Sequence, residues 1–152
     1  MRALLVTGLV ATVLLTATCS LPSEPKKTLP GTWFGFVSYK QSTGGYANIT
    51  IAEDRSCTLY GQISGQEAGW GGAYTLVFEG EPTILTGRIL GDVTITRQRP
   101  GIDTVQVSGY WSGDIVMEDE YMFGIWVTDQ GEAFGADGPW AATKQDDGNS
   151  RY

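Results

Sequence analysis

From residue 31 onward the chain runs in short apolar–polar alternations cut by glycines, with Tyr, Trp, Val, Ile and Thr at most of the structured positions. Such β-branched and aromatic side chains suit a pleated, half-buried surface. A period of two predicts strands over 33–39, 47–51, 57–63, 73–78, 83–89, 93–98, 104–111, 115–117, 121–128 and 139–143. Val105 and Val107 fall on one face of theirs. Ala52-Glu53-Asp54-Arg55 joins the second and third strands as a hairpin. Gly80-Glu81-Pro82, Leu90-Gly91-Asp92 and Pro100-Gly101 read as further turns. No segment of helical length in this region shows an i, i+3, i+4 apolar stripe. Strands at this spacing predict an all-β fold, a single antiparallel β-barrel of about eight strands over residues 31–143, with a β-sandwich as the alternative. Closure into a barrel removes the open sheet edges that invite aggregation. Gly35, Gly61, Gly109 and Gly124, lying inside strands, fit the bends of a strongly curved sheet. Residues 144–152 are polar and are expected to form a disordered tail.

The first thirty residues follow a different pattern. Arg2 precedes an apolar run ending at Leu15, and small residues follow it, Ala17, Thr18 and Cys19. A positive start, an apolar core of about 7–15 residues and a small-residue cut describe a secretory signal, here residues 1–18. The run falls short of the roughly 18 apolar residues that cross a bilayer. The segment Leu15-Thr16-Ala17-Thr18-Cys19 resembles a bacterial lipobox, with Thr16 where that motif prefers Leu and Thr18 where it prefers Gly or Ala. The resemblance implies lipidation of Cys19, membrane attachment through that lipid, and a tether over 19–30. Ser20, where an Asp would imply inner-membrane retention, points to the outer membrane of a bacterial envelope. The alternative is an ordinary cleaved signal and a secreted soluble product.

The start of the barrel carries a second resemblance. Gly31-Thr32-Trp33 is similar to the Gly-x-Trp that opens the first strand of the calycins, the lipocalin and avidin group. That likeness implies a barrel whose Trp33 plugs one end, with Lys144 packing on it from the last strand. It implies nothing about a ligand, because the other lipocalin motifs and the avidin ligand residues have no counterpart here.

Composition narrows the function. The chain holds 17 acidic and 10 basic residues, and Arg2 leaves with the leader. Such acidity excludes the phosphate-neutralising surface that nucleic-acid binding needs. Histidine is absent. That removes Ser-His-Asp and Cys-His catalysis, most zinc sites and the usual general base near neutral pH. No cofactor motif is present. If Cys19 carries lipid, Cys57 has no disulfide partner, and its alternating context makes it a small buried core residue.

Two segments remain as candidate chemistry. Trp70, flanked by Gly69 and Gly71 in a glycine-rich stretch, reads either as a contact residue for a partner or as a lid over its own barrel end. Trp33, Trp111 and Trp126 read as core. Glu118-Asp119-Glu120 is the densest acidic run. On a strand Glu118 and Glu120 would share a face, the minimum for a carboxylate-based hydrolase. A solvated turn is the plainer expectation. The sequence therefore predicts a non-enzymatic binding module of the envelope, meeting an apolar ligand or a protein partner through barrel-end loops, with inhibition of that partner as one form. A structural envelope lipoprotein is the alternative.

Overall fold

The computed structural model describes residues 27–40 and 42–146. The expected leader, Cys19 and most of the expected tether lie outside the described residues. Nine strands follow in order: β1 (Gly31–Val37), β2 (Thr43–Ile51), β3 (Cys57–Glu67), β4 (Gly72–Gly80), β5 (Thr83–Leu85), β6 (Arg88–Arg99), β7 (Ile102–Val116), β8 (Tyr121–Thr128) and β9 (Asp137–Lys144). Every pairing is antiparallel, and nearly all join strands adjacent in sequence. β4 pairs with β6 and β1 with β9, so eight strands close into a barrel. β5 lies outside it, paired to β6. The expected barrel is therefore present, and the sandwich is not. The helical elements among the described residues are two short 3-10 turns, Ala68–Trp70 and Met117–Asp119.

Alternation assigns one face of each strand to the interior. Trp33, Val37, Ala47, Ile49, Leu59, Ile63, Leu76, Phe78, Ile95, Trp111, Met122, Trp126 and Trp140 are buried there. An eight-stranded barrel is just wide enough for side chains to fill. Here the filling is aromatic. Trp111 stacks on Trp140 with ring centroids 4.8 Å apart, and Phe78 meets Trp126 edge-on at 4.7 Å. Buried indoles need partners for their N–H groups. Trp140 Nε1 donates to the Ser112 carbonyl at 3.1 Å and Trp126 Nε1 to that of Ser38 at 3.0 Å.

Inward-facing glycines make room for these rings. A Cβ on Gly113 would stand 2.4 Å from Trp140 Cζ2. One on Gly138 would collide with the Ser38 carbonyl that Trp126 needs. Close packing at glycine explains two departures from the sequence expectation. Segments 104–111 and 115–117 are one strand, β7, because Ser112-Gly113-Asp114 is a place of close packing and not a turn. Leu90-Gly91-Asp92 lies within β6 for a similar reason: Gly91 admits the backbone of Pro82, 2.8 Å from a Cβ position. The real turn is at Thr86 and Gly87, both with positive φ, and it divides 83–89 into β5 and the start of β6.

Gly31, Thr32 and Trp33 open β1 at the end of the barrel where the chain enters. Trp33 is fully buried and its Nε1 donates to the Leu29 carbonyl at 3.1 Å. Lys144 is its cross-strand partner and belongs to β9, not to a tail. Gly31, at φ 135°, leaves space for the Lys144 stem, which would lie 2.8 Å from a Cβ there. The ammonium passes on to the Thr28 carbonyl at 2.6 Å. Residues 147–152 lie outside the described residues.

Candidate functional site

The two barrel ends differ in chemistry. At the end where the chain enters the barrel, Leu29, Ile84, Ile115 and Met117 line a cavity of about 300 Å³ together with Lys27 and Arg55. The opposite end gathers Trp70, Tyr39, Tyr74, Phe134, Arg97 and Arg99, with an open cleft of about 820 Å³ beside them.

Trp70 sits in a tight corner and not in a long glycine loop. β3 extends to Glu67, because Gly65 accommodates the Tyr74 ring. The Glu67 carboxylate then caps the 3-10 turn by accepting from Gly69 N at 3.2 Å. Gly71, at φ 85°, ends the turn in a left-handed conformation that suits glycine, and its N–H donates to the Ala68 carbonyl. Lys40 clamps Glu67 at 2.7 Å. That ammonium holds the Glu67 carboxyl below the usual carboxylate range.

The Trp70 ring is folded inward. It stacks on Tyr39 at 5.0 Å and 10°, and meets Tyr74 at 5.0 Å and Phe134 at 5.4 Å edge-on. Of the two expectations for Trp70, the geometry is that of a lid over its own barrel end. Gly69 and Gly71 shape the lid's exposed edge.

Under the lid lies a feature that the sequence did not mark. Arg97 is buried, with its guanidinium carbon 5.0 Å from the Trp70 ring centre and 4.5 Å from that of Phe134. Burial first, and the nearby Arg99 second, lower its pKa from the ordinary arginine value. Arg99 Nη1 donates to the Trp70 carbonyl at 2.7 Å, which ties the lid to β6. Among the described side chains neither arginine forms a salt bridge. The only sequence signal for this arrangement was the interior parity of Arg97, two residues beyond Ile95.

The neighbouring cleft is framed by residues 127–139 and by Ser38, Tyr39 and Lys40. Its loop is pinned at the base, where Thr128 and Ala136 exchange hydrogen bonds through both backbone and the Thr128 hydroxyl. Its lining carries Asp129, Glu132 and Asp137 against Lys40 alone, so its charge is net negative.

The other candidates fall elsewhere. Cys57 is buried, and burial pushes its thiol up to about 12, the state of an inert core residue. Glu118 and Glu120 sit at the 3-10 turn between β7 and β8, at the end where the chain enters the barrel. Glu118 is exposed and its carbonyl accepts from Lys27. Glu120 adopts φ 49° to close the turn. The two do not alternate along a strand face, so the shared face that a hydrolase required is not formed. Among the described residues no three His, Cys, Asp or Glu side chains cluster as metal ligands. Cys19 lies outside the described residues.

The chain matches no protein-family model and shows no significant similarity to a curated protein or to a solved structure.

Proposed function

We propose that this chain is an exported, lipid-anchored binding module of the bacterial envelope that engages a protein partner through the Trp70 end of its barrel, without catalysis. The observation that carries the choice of a protein over an interior small ligand is the filled barrel. Trp111, Trp126, Trp140 and Phe78 occupy the space in which an apolar ligand would otherwise sit. What the fold leaves open is the 820 Å³ cleft beside the lid. Its pinned loop is a preorganised contact surface, and preorganisation lowers the ordering cost of association. Its Asp129, Glu132 and Asp137 favour a partner segment carrying Lys or Arg, and a negative protein steers such a partner toward encounter. The leader and Cys19 would place this end away from the membrane, because the chain enters the barrel at the opposite end.

The test is a footprint. The chain is expressed with its own leader and used to capture partners from envelope extract, and amide exchange is compared with and without the captured protein. Protection centred on residues 127–139 and 68–71, lost in Asp129→Lys/Glu132→Lys, supports the proposal. Protection elsewhere, or capture unaffected by the double variant, removes it. Mass spectrometry of the mature N-terminus reads the anchor: acylated Cys19 supports it, and an unmodified N-terminus at Ser20 rules it out.

A further inference from the structure

The outer wall of the barrel is divided as sharply as its two ends. Across β8, β9, β1 and β2 the outward positions between the rims are Tyr121, Phe123, Ile125, Pro139, Ala141, Thr143, Phe34, Phe36, Asn48 and Tyr46, with no charged side chain among them, and Val127 paired with Asp137 marks one rim. The chain as a whole holds 27 charged residues, so this gap is a property of the wall and not of the composition. Phe34, Phe36, Tyr121, Phe123 and Ile125 are all exposed, Ile125 by 60% and Phe36 by 50%, and Tyr60 of β3 and Val127 beside Asp137 extend the patch at its margins.

The wall has relief. Register places Phe36 and Phe123 on either side of Ala141, and Phe34 and Tyr121 on either side of Thr143. The large side chains of β1 and β8 therefore form two ridges, with the small outward residues of β9 as the groove between them. Ala141 is only 4% exposed because the flanking rings shelter it. The ridges are braced by stacking, Tyr121 on Phe123 at 5.6 Å and Phe34 on Tyr46 at 6.1 Å. A surface made of ridge, groove and ridge is complementary to itself: a twofold axis can seat one ridge of each copy in the groove of the other.

We propose that a second copy of this chain covers this wall, giving a side-by-side dimer with both Trp70 ends free. The exposed chains named above present about 600 Å² of apolar side chain, at roughly 200 Å² for a fully exposed aromatic. With the backbone and polar neighbours a twofold contact brings under cover, this approaches the ~800 Å² per partner of a stable interface. It also stands at the top of the range for the largest apolar patch a monomer leaves bare. Charge favours the same occupant. Two acidic copies repel least across a wall whose outward positions between the rims hold no charge. A bilayer is the weaker fit, because the rim shows Asp137 and Asp114 where lipid-bound surfaces carry Lys and Arg.

Sedimentation of the full exported chain carrying Cys19→Ser, which keeps lipid micelles out of the measurement, tests this. The expected mass is twice that of the chain, falling to the monomer for Phe123→Glu and for Phe36→Glu, while Thr58→Glu on the outer face of β3 stays dimeric. Near-ultraviolet circular dichroism reads the Trp111–Trp140 stack and shows whether each variant is folded. A monomeric parent at every concentration overturns the proposal, as does a dimer that persists in both folded Phe variants. Binding of the monomer to phosphatidylcholine vesicles, lost in Phe123→Glu, would assign the wall to lipid and overturn it equally. The wall meets the proposed partner cleft at Val127 and Pro139; the two readings stay distinguishable because Phe123→Glu and Phe36→Glu read the wall, whereas Asp129→Lys/Glu132→Lys reads the cleft.

Discussion

Replacing Trp70 by alanine separates a lid from a free contact residue. The structure gives the ring three aromatic neighbours, Tyr39, Tyr74 and Phe134, and one cation, Arg97. Aromatic pairs contribute about 0.5–1.5 kcal/mol each beyond burial. A cation over a ring adds about 0.5–2 kcal/mol. A fully buried Trp→Ala change costs about 3–5 kcal/mol. Trp70 is partly exposed, and Tyr39 and Tyr74 retain each other at 6.0 Å after it is gone. The expected loss is therefore about 2–3 kcal/mol, or roughly a 10 °C fall in Tm for a domain of this size. Urea unfolding at constant m-value is the assay. Trp70→Phe, which keeps a ring on Tyr39, should recover more than half of the loss. The contribution of the cation is read from a double-mutant cycle with Arg97→Met, whose coupling should be about 0.5–1 kcal/mol. A loss below about 0.5 kcal/mol for Trp70→Ala, the level of an ordinary surface change, would refute the lid.

Two further outcomes follow from the interior. Gly113→Ala places a methyl 2.4 Å from Trp140 Cζ2 and 2.5 Å from the Phe123 carbonyl, so it should destabilise by at least the 1–3 kcal/mol typical of overpacking. Gly69→Ala, whose nearest neighbour is Glu67 Oε1 at 3.5 Å, should change stability by less than about 0.5 kcal/mol; thermal melts of the two variants make the comparison. The Cys57 thiol, raised by burial from 9.0 to about 12, favours the folded state while both states are protonated. As pH rises past 9 the unfolded thiol ionises first, so stability should fall between pH 9 and 12 by up to ~4 kcal/mol relative to Cys57→Ala. An alkylating agent at pH 8 should label Cys57 only in denaturant, and labelling of the folded chain would contradict its burial.

How much of this was legible in the residues depends on which link in the chain of causes each feature occupies. The barrel itself was, because alternation is local: a period of two in β1, β2 and β8 identifies a strand whatever it packs against. Glycine was misread where its cause is distant. Gly91 and Gly113 look like turn residues, yet each is small because something from another strand, Pro82 or Trp140, occupies the space a side chain would fill. The same local–distant divide governs the sites. Trp70 stood out by its glycine flanks, but its inward fold needs Tyr39, Tyr74 and Phe134 from three separate parts of the chain. Arg97 did not stand out at all, because an arginine near the end of a strand is ordinarily solvated, and only the closed barrel puts it between two rings. The uncharged wall was written in the outward positions of β8, β9 and β1 from the start. It could not be seen until the register β1–β9–β8 showed that those positions are neighbours. Both surfaces offered here as contacts, the cleft beside Trp70 and the ridged wall, are therefore products of strand order. A circular permutation that preserves closure should preserve both, whereas a single slip between β9 and β8 would exchange Phe123 with Met122 and destroy the wall and the core together.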